Sequence, residues 1–390
     1  MMKPSLSALL AVPLLAAVAS PSSVSPARAD GGVILDNLRT ISTIASTVPK
    51  NGDVNPYGIA RVPVTAGRLQ EGHTLVSNFN NSNNLQGTGT TIVDVAPNGK
   101  VSPFATIDAT KLPGPCPGGV GLMTALVALR AGWVIVGSLP TTDGTAATAK
   151  AGCLIVLNSQ GVPVETFSGG PINDPWDMTA DDRGFDASLF FTNVLNGTVA
   201  AGGNVVNKGT VVRLDFDLDN GRPRSTVTAV IASGLPERTD PAALVIGPTG
   251  LAPGRQAPCT GYAATDCTWF KDGDDAQLLY VADTLGNRIP VVTNPLSRSN
   301  SAGPGMTLTD NGFLNGPLGL AVARDGHILA VNSGDGFISE IAPDGKHLAH
   351  ELLDNTGSPP GAGALFGLLP LGDGKVWFVD DASNTLNLLH

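Results

Sequence analysis

Three features of the sequence predict an all-β fold, a six-bladed β-propeller closed by an N-terminal strand. First, a short apolar run ending in a small polar residue recurs six times: "LVSN" from Leu75, "IVGS" from Ile135, "FFTN" from Phe190, "YVAD" from Tyr280, "LAVN" from Leu329 and "WFVD" from Trp377. Second, each run is preceded by a related piece: "NPYGIA" from Asn55, "PGGVGLM" from Pro117, "DPWDMT" from Asp174, "GPTGLA" from Gly247, "GPLGLA" from Gly316 and "GALFGLL" from Gly363. Third, 48 glycines and 30 prolines accompany only 14% charged residues, a composition suited to short strands and tight turns; no segment shows a clear amphipathic helical period.

From the N-terminus, Lys3 precedes an apolar core, Leu6 to Val18, and then a small-residue stretch ending Ala27-Arg28-Ala29. This reads as a secretory signal peptide over residues 1–29, leaving a single domain over 30–390 in the periplasm or the extracellular medium. "LRTISTIAST", Leu38 to Thr47, stands alone before the first repeat. The repeats span about 55–107, 117–168, 172–233, 244–309, 315–355 and 362–390, each reading strand, strand, strand, turn, strand. The last has only three strands, so Leu38–Thr47 is expected to supply its missing outer strand. Strands this short cannot bury both faces alone, whereas six sheets around an axis bury each face against a neighbour. Closing the ring removes the unpaired edge.

"YVADTLGNRI", with "GPTGLA" upstream, resembles the NHL repeat, and at a greater distance the gluconolactonase-like propellers. The resemblance implies a six-bladed propeller and leaves the activity open, because one propeller fold serves many functions.

Two columns of repeated residues invite a structural reading. Asn78, Ser138, Asn193, Asp283, Asn332 and Asp380 are expected to close Asx-type turns. Gly58, Gly121, Gly250, Gly319 and Gly367 are expected where the innermost strands crowd together; the third repeat breaks the column with Asp177. On one face, repeats one to three carry long loops, Phe79–Thr90, Leu139–Lys150 and Val194–Lys208, so a binding pocket is expected there. Pairing Cys116 with Cys153 and Cys259 with Cys267 keeps both disulfides within single faces of the ring, and export permits them.

Catalytic residues do not announce themselves. The five histidines fall on hairpins, an outer strand and the chain end, where solvent exposure is expected, and no nucleophile elbow or paired-histidine metal motif is present. "DFDLDNG" from Asp215 has Asn220 where a calcium loop needs glycine and Thr226 where it needs glutamate, so a strand entering a hairpin is expected. The richest stretch is "INDPWDMTADD". Asn173, Asp174 and Asp177 are expected at the mouth of the channel with Trp176 beside them, and Asn55 at the same position of the first repeat. These five form the candidate ligand site. Asn173, Asp174 and Asp177 could also hold Ca²⁺, as the gluconolactonase-like resemblance implies. That family's Glu-Gly-Pro motif is replaced here by "NPYG", and the later mouth positions carry Thr249 and Pro317.

The expected function is therefore an exported binding module for a small molecule, glycan or protein, acting as a monomer. The alternative is a metal-dependent lactonase or hydrolase. A formal charge of −10 and the lack of basic runs argue against a nucleic-acid partner. No apolar stretch after residue 29 is long enough to span a bilayer.

Overall fold

A computed structural model describes residue 1 and residues 32–219, 221–255 and 277–390. From residue 32 onward the described residues form six antiparallel sheets, the six blades of the propeller. Blade 1 is built from Val54–Arg61, Thr74–Asn80, Thr91–Val95 and Val101–Thr106, from the channel outwards. Blade 2 uses Leu122–Ala128, Val134–Ser138, Cys153–Leu157 and Pro163–Phe167. Blade 4 uses Pro248–Arg255, Gln277–Asp283, Arg288–Thr293 and Met306–Asp310, and blade 5 uses Pro317–Val322, Ile328–Asn332, Phe337–Ile341 and His347–Leu352.

Blade 3 departs from this plan. Its strands are Pro175–Asp182, Asp186–Asn193, Val206–Asp217 and a long Arg224–Asp240, which folds back into a fifth, Leu244–Ile246. The "DFDLDNG" stretch does enter a hairpin, with Asp217 opposite Arg224. The fourth strand, however, runs seven residues past the 233 boundary that the repeat spacing suggests.

Blade 6 holds Leu365–Pro370, Val376–Asp380 and Thr385–Leu389, and Ile41–Ser46 completes it by pairing with Thr385–Leu389. The expected closure by Leu38–Thr47 is thus realised. The seam is extended by Thr47 N–H donating to Asn384 O and His390 N–H donating to Thr40 O. Just upstream, the backbone N–H groups of Ile34 and Leu35 donate to the buried Glu340 carboxylate of blade 5, at 2.9 and 2.8 Å. His327 Nδ1 meets the same carboxylate at 2.6 Å. His327 is only 14% exposed, and His347 is wedged between Thr309 and Phe313. These two imidazoles are therefore packing elements, not the solvated hairpin and edge residues that the sequence suggests.

Each inner strand shifts register against the second strand at one equivalent place: Pro56/Ile59, Leu122/Leu126, Pro175/Met178, Pro248/Leu251, Pro317/Leu320 and Leu365/Leu368. The glycine column sits in these bulges because the next blade's backbone leaves no room for a side chain. A Cβ on Gly319 would lie 1.9 Å from Phe366 O, and one on Gly367 would lie 2.5 Å from Tyr57 O. Gly121 does not belong to the column. It precedes Leu122 and shares its register with Asn55 and Asp174.

The polar column also differs from expectation. Asp283 and Asp380 close turns, accepting from Gly286 N–H and Ser383 N–H. The others tie down the chain entering or flanking the blade: Asn193 Oδ1 accepts from Asn173 and Asp174 N–H, Ser138 Oγ from Gly121 N–H, and Asn78 and Asn332 donate to Thr47 O and Phe313 O. These side chains are fully buried, so they satisfy whichever backbone group comes within reach.

Cys116 and Cys153 form a disulfide. Cys259 and Cys267 lie outside the described residues. Among the described residues, no helix is long and apolar enough to cross a membrane.

Candidate functional site

The inner strands of all six blades surround a cavity of about 440 Å³ along the channel. Its wall is largely glycine and aliphatic, and it runs from Tyr57, Thr249, Leu318 and Phe366 at one end to Arg61, Asp182, Pro253 and Pro370 at the other. Because each inner strand starts on the face with the long loops, the second end opens on the opposite face.

The loop-side end is closed by aromatic packing. Tyr57 stacks on Phe366 with ring centroids 3.8 Å apart, and Trp176 meets Tyr57 edge-on at 5.9 Å and donates from Nε1 to its hydroxyl at 3.2 Å. Phe79, Leu139 and Val194 from the three long loops join this cluster, together with Leu244 and Val245 from the extra hairpin of blade 3. Trp176 is 3% exposed, a core residue of the closure. Burial pushes the Tyr57 phenol well above its ordinary range, so its hydroxyl stays protonated.

The long loops interlock. Thr141 N–H donates to Gly87 O, Thr141 Oγ1 to Gln86 O, and Gln86 Nε2 to Ala242 O. The pocket expected over blades one to three is therefore replaced by a cover, and the cavity lies beneath it on the channel.

The predicted site residues separate into three places. Asp177 occupies the glycine position of blade 3 and lines the cavity. Its Oδ2 accepts from Leu251 N–H of blade 4 at 3.2 Å. Burial raises its carboxyl to about 7, opposed by hydrogen bonds from the Met178 and Leu251 amides. Asn173 and Asp174 face a different set of groups. Asn173 Nδ2 donates to Asn196 Oδ1, and the Asp174 carboxyl is raised by burial and then by the nearby Glu237 carboxylate. Asn55 adopts a left-handed backbone, φ 62°, which asparagine tolerates, and its N–H donates to Asn384 Oδ1 at 2.7 Å. Asn173, Asp174 and Asp177 thus do not form one donor set. Among the described residues, no group of three or more His, Cys, Asp or Glu side chains is arranged around a common point. A cation at the channel mouth does not fit residues that converge there as an aromatic cluster.

Of the ring Tyr57, Trp176, Thr249, Leu318 and Phe366, sequence reasoning placed Trp176 and Thr249 at the mouth and missed Tyr57, Leu318 and Phe366. A signal was available: the ring residues flank the glycine column, and three of them are aromatic. It also missed Glu237, which lies in a stretch that reads as loop.

No protein-family model and no curated protein matches the sequence. Among solved structures, the chain is similar to a gluconolactonase from Xanthomonas campestris, with 14% identity and a TM-score of 0.53 over 91% of this chain and 90% of that one. It is also similar to a luciferin-regenerating enzyme, with 11% identity and a TM-score of 0.53 over 90% of this chain and 94% of the other. A weaker likeness is to the calcium-binding regucalcin of Agrobacterium tumefaciens, with 12% identity and a TM-score of 0.48 over 90% and 93% of the two chains. At these identities the likeness establishes the fold.

Proposed function

We propose that this chain is an exported, NHL-like binding propeller that takes a small organic molecule into its central channel. Residues 1–29 act as the signal peptide and 30–390 as one domain. The observation that carries the reading is the cavity itself. Its volume, about 440 Å³, falls within the range of about 300–1,000 Å³ usual for small-molecule sites. Its mostly apolar wall, with the half-buried Asp177 carboxyl inside and Asp182 and Arg61 at the open end, has the composition of such sites, in which few polar groups orient a ligand. Entry is from the face opposite the long loops, because those loops contribute to the aromatic closure. The Cys116–Cys153 disulfide supports an oxidising compartment.

The test is a thermal-shift screen of small lactones, sugars and amines, followed by calorimetry on the hits. Channel ligands should lose affinity about tenfold or more in Asp177→Asn, in keeping with the loss of a charge-assisted hydrogen bond. Hits that bind this variant and wild type equally, or no hits from any class, count against the reading.

A hydrolytic reading has one observation in its favour. A carboxyl held near 7 inside a cleft suits a general base, and Asp177 is such a group. Turnover of a lactone or ester that vanishes in Asp177→Asn while binding persists would select catalysis over binding.

A further inference from the structure

Several buried carboxylates of this ring are visibly satisfied. Glu340 holds two backbone N–H groups and His327; Asp283 holds Gly286 N–H and the Arg288 guanidinium; Asp53 holds Thr90 N–H and Thr91 Oγ1. Asp174 is 0% exposed, and neither carboxylate oxygen has a hydrogen-bond partner among the described residues. Beside it, Glu237 is also 0% exposed and its Oε2 is unpartnered, while Oε1 accepts from Asn196 N–H at 3.2 Å. The Oδ1 of Asn173 is a further buried, unpartnered acceptor.

The backbone is shaped to hold these groups. Asn193 Oδ1 receives both the Asn173 and Asp174 N–H groups, fixing the turn that aims the two side chains. Asn196 accepts from Asn173 Nδ2 through its side chain and donates to Glu237 through its backbone, linking the inner strand to the blade 3 extension. Gly247 permits the approach, because a Cβ there would lie 3.0 Å from Glu237 Cβ and 2.9 Å from Val194 Cγ1.

We propose that Asp174, Glu237 and the Asn173 amide oxygen form a site for a hard divalent cation of the Ca²⁺ type. Four unpaired oxygens carrying two formal negative charges match what such an ion takes from carboxylates and amides, with backbone carbonyls and water completing the shell. Without a cation, two like charges would be buried side by side with the Asn196 N–H as their one hydrogen-bond donor among the described residues, an arrangement that folded proteins avoid. Lys208 lies within electrostatic reach of Glu237 but makes no hydrogen bond with it among the described contacts. The site is separate from the channel cavity, whose lining does not include Asp174 or Glu237, so it stands or falls independently of the ligand proposed there. It pins the long hairpin that carries Leu244 and Val245 to the inner strand of blade 3, and so supports the aromatic closure.

The experiment strips the full chain with EDTA, dialyses it into calcium-free buffer near neutral pH, and titrates Ca²⁺ by calorimetry alongside thermal melts. One Ca²⁺ per chain and a rise in melting temperature of about 4 °C at saturating ion are expected. Glu237→Gln and Asp174→Asn should each abolish both signals. Should either fail to fold, Asn173→Ala should still fold and bind Ca²⁺ about tenfold more weakly. Lys208→Met should keep or tighten binding. A wild type with neither bound ion nor shift overturns the site and points to a proton shared between the two carboxyls. So does Ca²⁺ binding that all three ligand variants retain unchanged.

Discussion

Blades 3 and 5 are built from the same repeat and use it differently. Blade 5 is the plain version: four short strands, tight turns, and Gly319 at the bulge with the Phe366 carbonyl where its side chain would be. Blade 3 puts Asp177 at the equivalent bulge, lengthens its outer hairpin into a fifth strand, and buries two carboxylates that no neighbouring donor fully satisfies. The plain blade shows what the ring needs for packing. The departures in blade 3 exceed that need, and both the Asp177 carboxyl of the channel and the proposed cation site fall on them.

Substitution can break or sharpen this contrast. The largest effect is expected from Gly319→Val. A side chain at a position where a Cβ would sit 1.9 Å from a backbone oxygen should force the blades apart and cost well over about 4 kcal/mol, read as loss of the cooperative melt. Asp177→Gly restores the plain pattern in blade 3 and, at about pH 4 where the folded-state carboxyl is protonated, should fold with a stability change within about 1 kcal/mol. If Asp177→Gly were as damaging as Gly319→Val, the carboxyl would be a structural necessity and the contrast would fail.

Next in size is Trp176→Ala, which removes the centre of the aromatic closure and should cost about 3–5 kcal/mol in denaturant melts. The equivalent change in blade 5, Leu318→Ala, should cost less, about 2–3 kcal/mol, because Leu318 touches the same cluster from its edge. Replacing Cys116 and Cys153 together by serine frees a loop with a sequence separation of 37 and should cost about 3–4 kcal/mol; a matching loss on adding reductant to wild type checks it.

The most diagnostic effect is in pH. Asp177 in the folded state titrates at about 7, well above the ordinary value of 3.8. Between those values the unfolded chain has released a proton that the folded chain retains. Stability therefore falls as pH rises from about 4 to about 7 and levels off above. Asp381, raised to about 7 by burial and by Asp380, adds to the same slope. Urea midpoints measured across this window should decline, and Asp177→Asn should flatten the decline. An unchanged slope in that variant would mean that the group ionises freely in the cavity.

The fold was legible because its evidence is repeated. Six copies of a strand ending in Asn, Ser or Asp, with a glycine in the preceding piece of all but the third, leave little freedom in assembly, and the lone segment 38–47 can only serve as an edge. The break at Asp177 was also legible, since a column exposes its exception. The rest of the site was not. Whether a long loop opens or covers a mouth depends on where Phe79, Leu139 and Val194 point, which no periodicity encodes. Glu237 sits in "GLPERTD", with a proline and a glycine that read as a turn, yet the strand continues through them to Asp240. Its partnership with Asp174, far away in sequence, depends on that hairpin folding back.

The seam between Ile41–Ser46 and Thr385–Leu389 has a bearing on biosynthesis. Ile41–Ser46 finds its mate only when Thr385–Leu389, more than 300 residues later, has emerged. A nascent or truncated polypeptide therefore carries two unmatched β edges. Holdase protection until both edges have met, and rapid clearance of incomplete chains, would follow from that order of events.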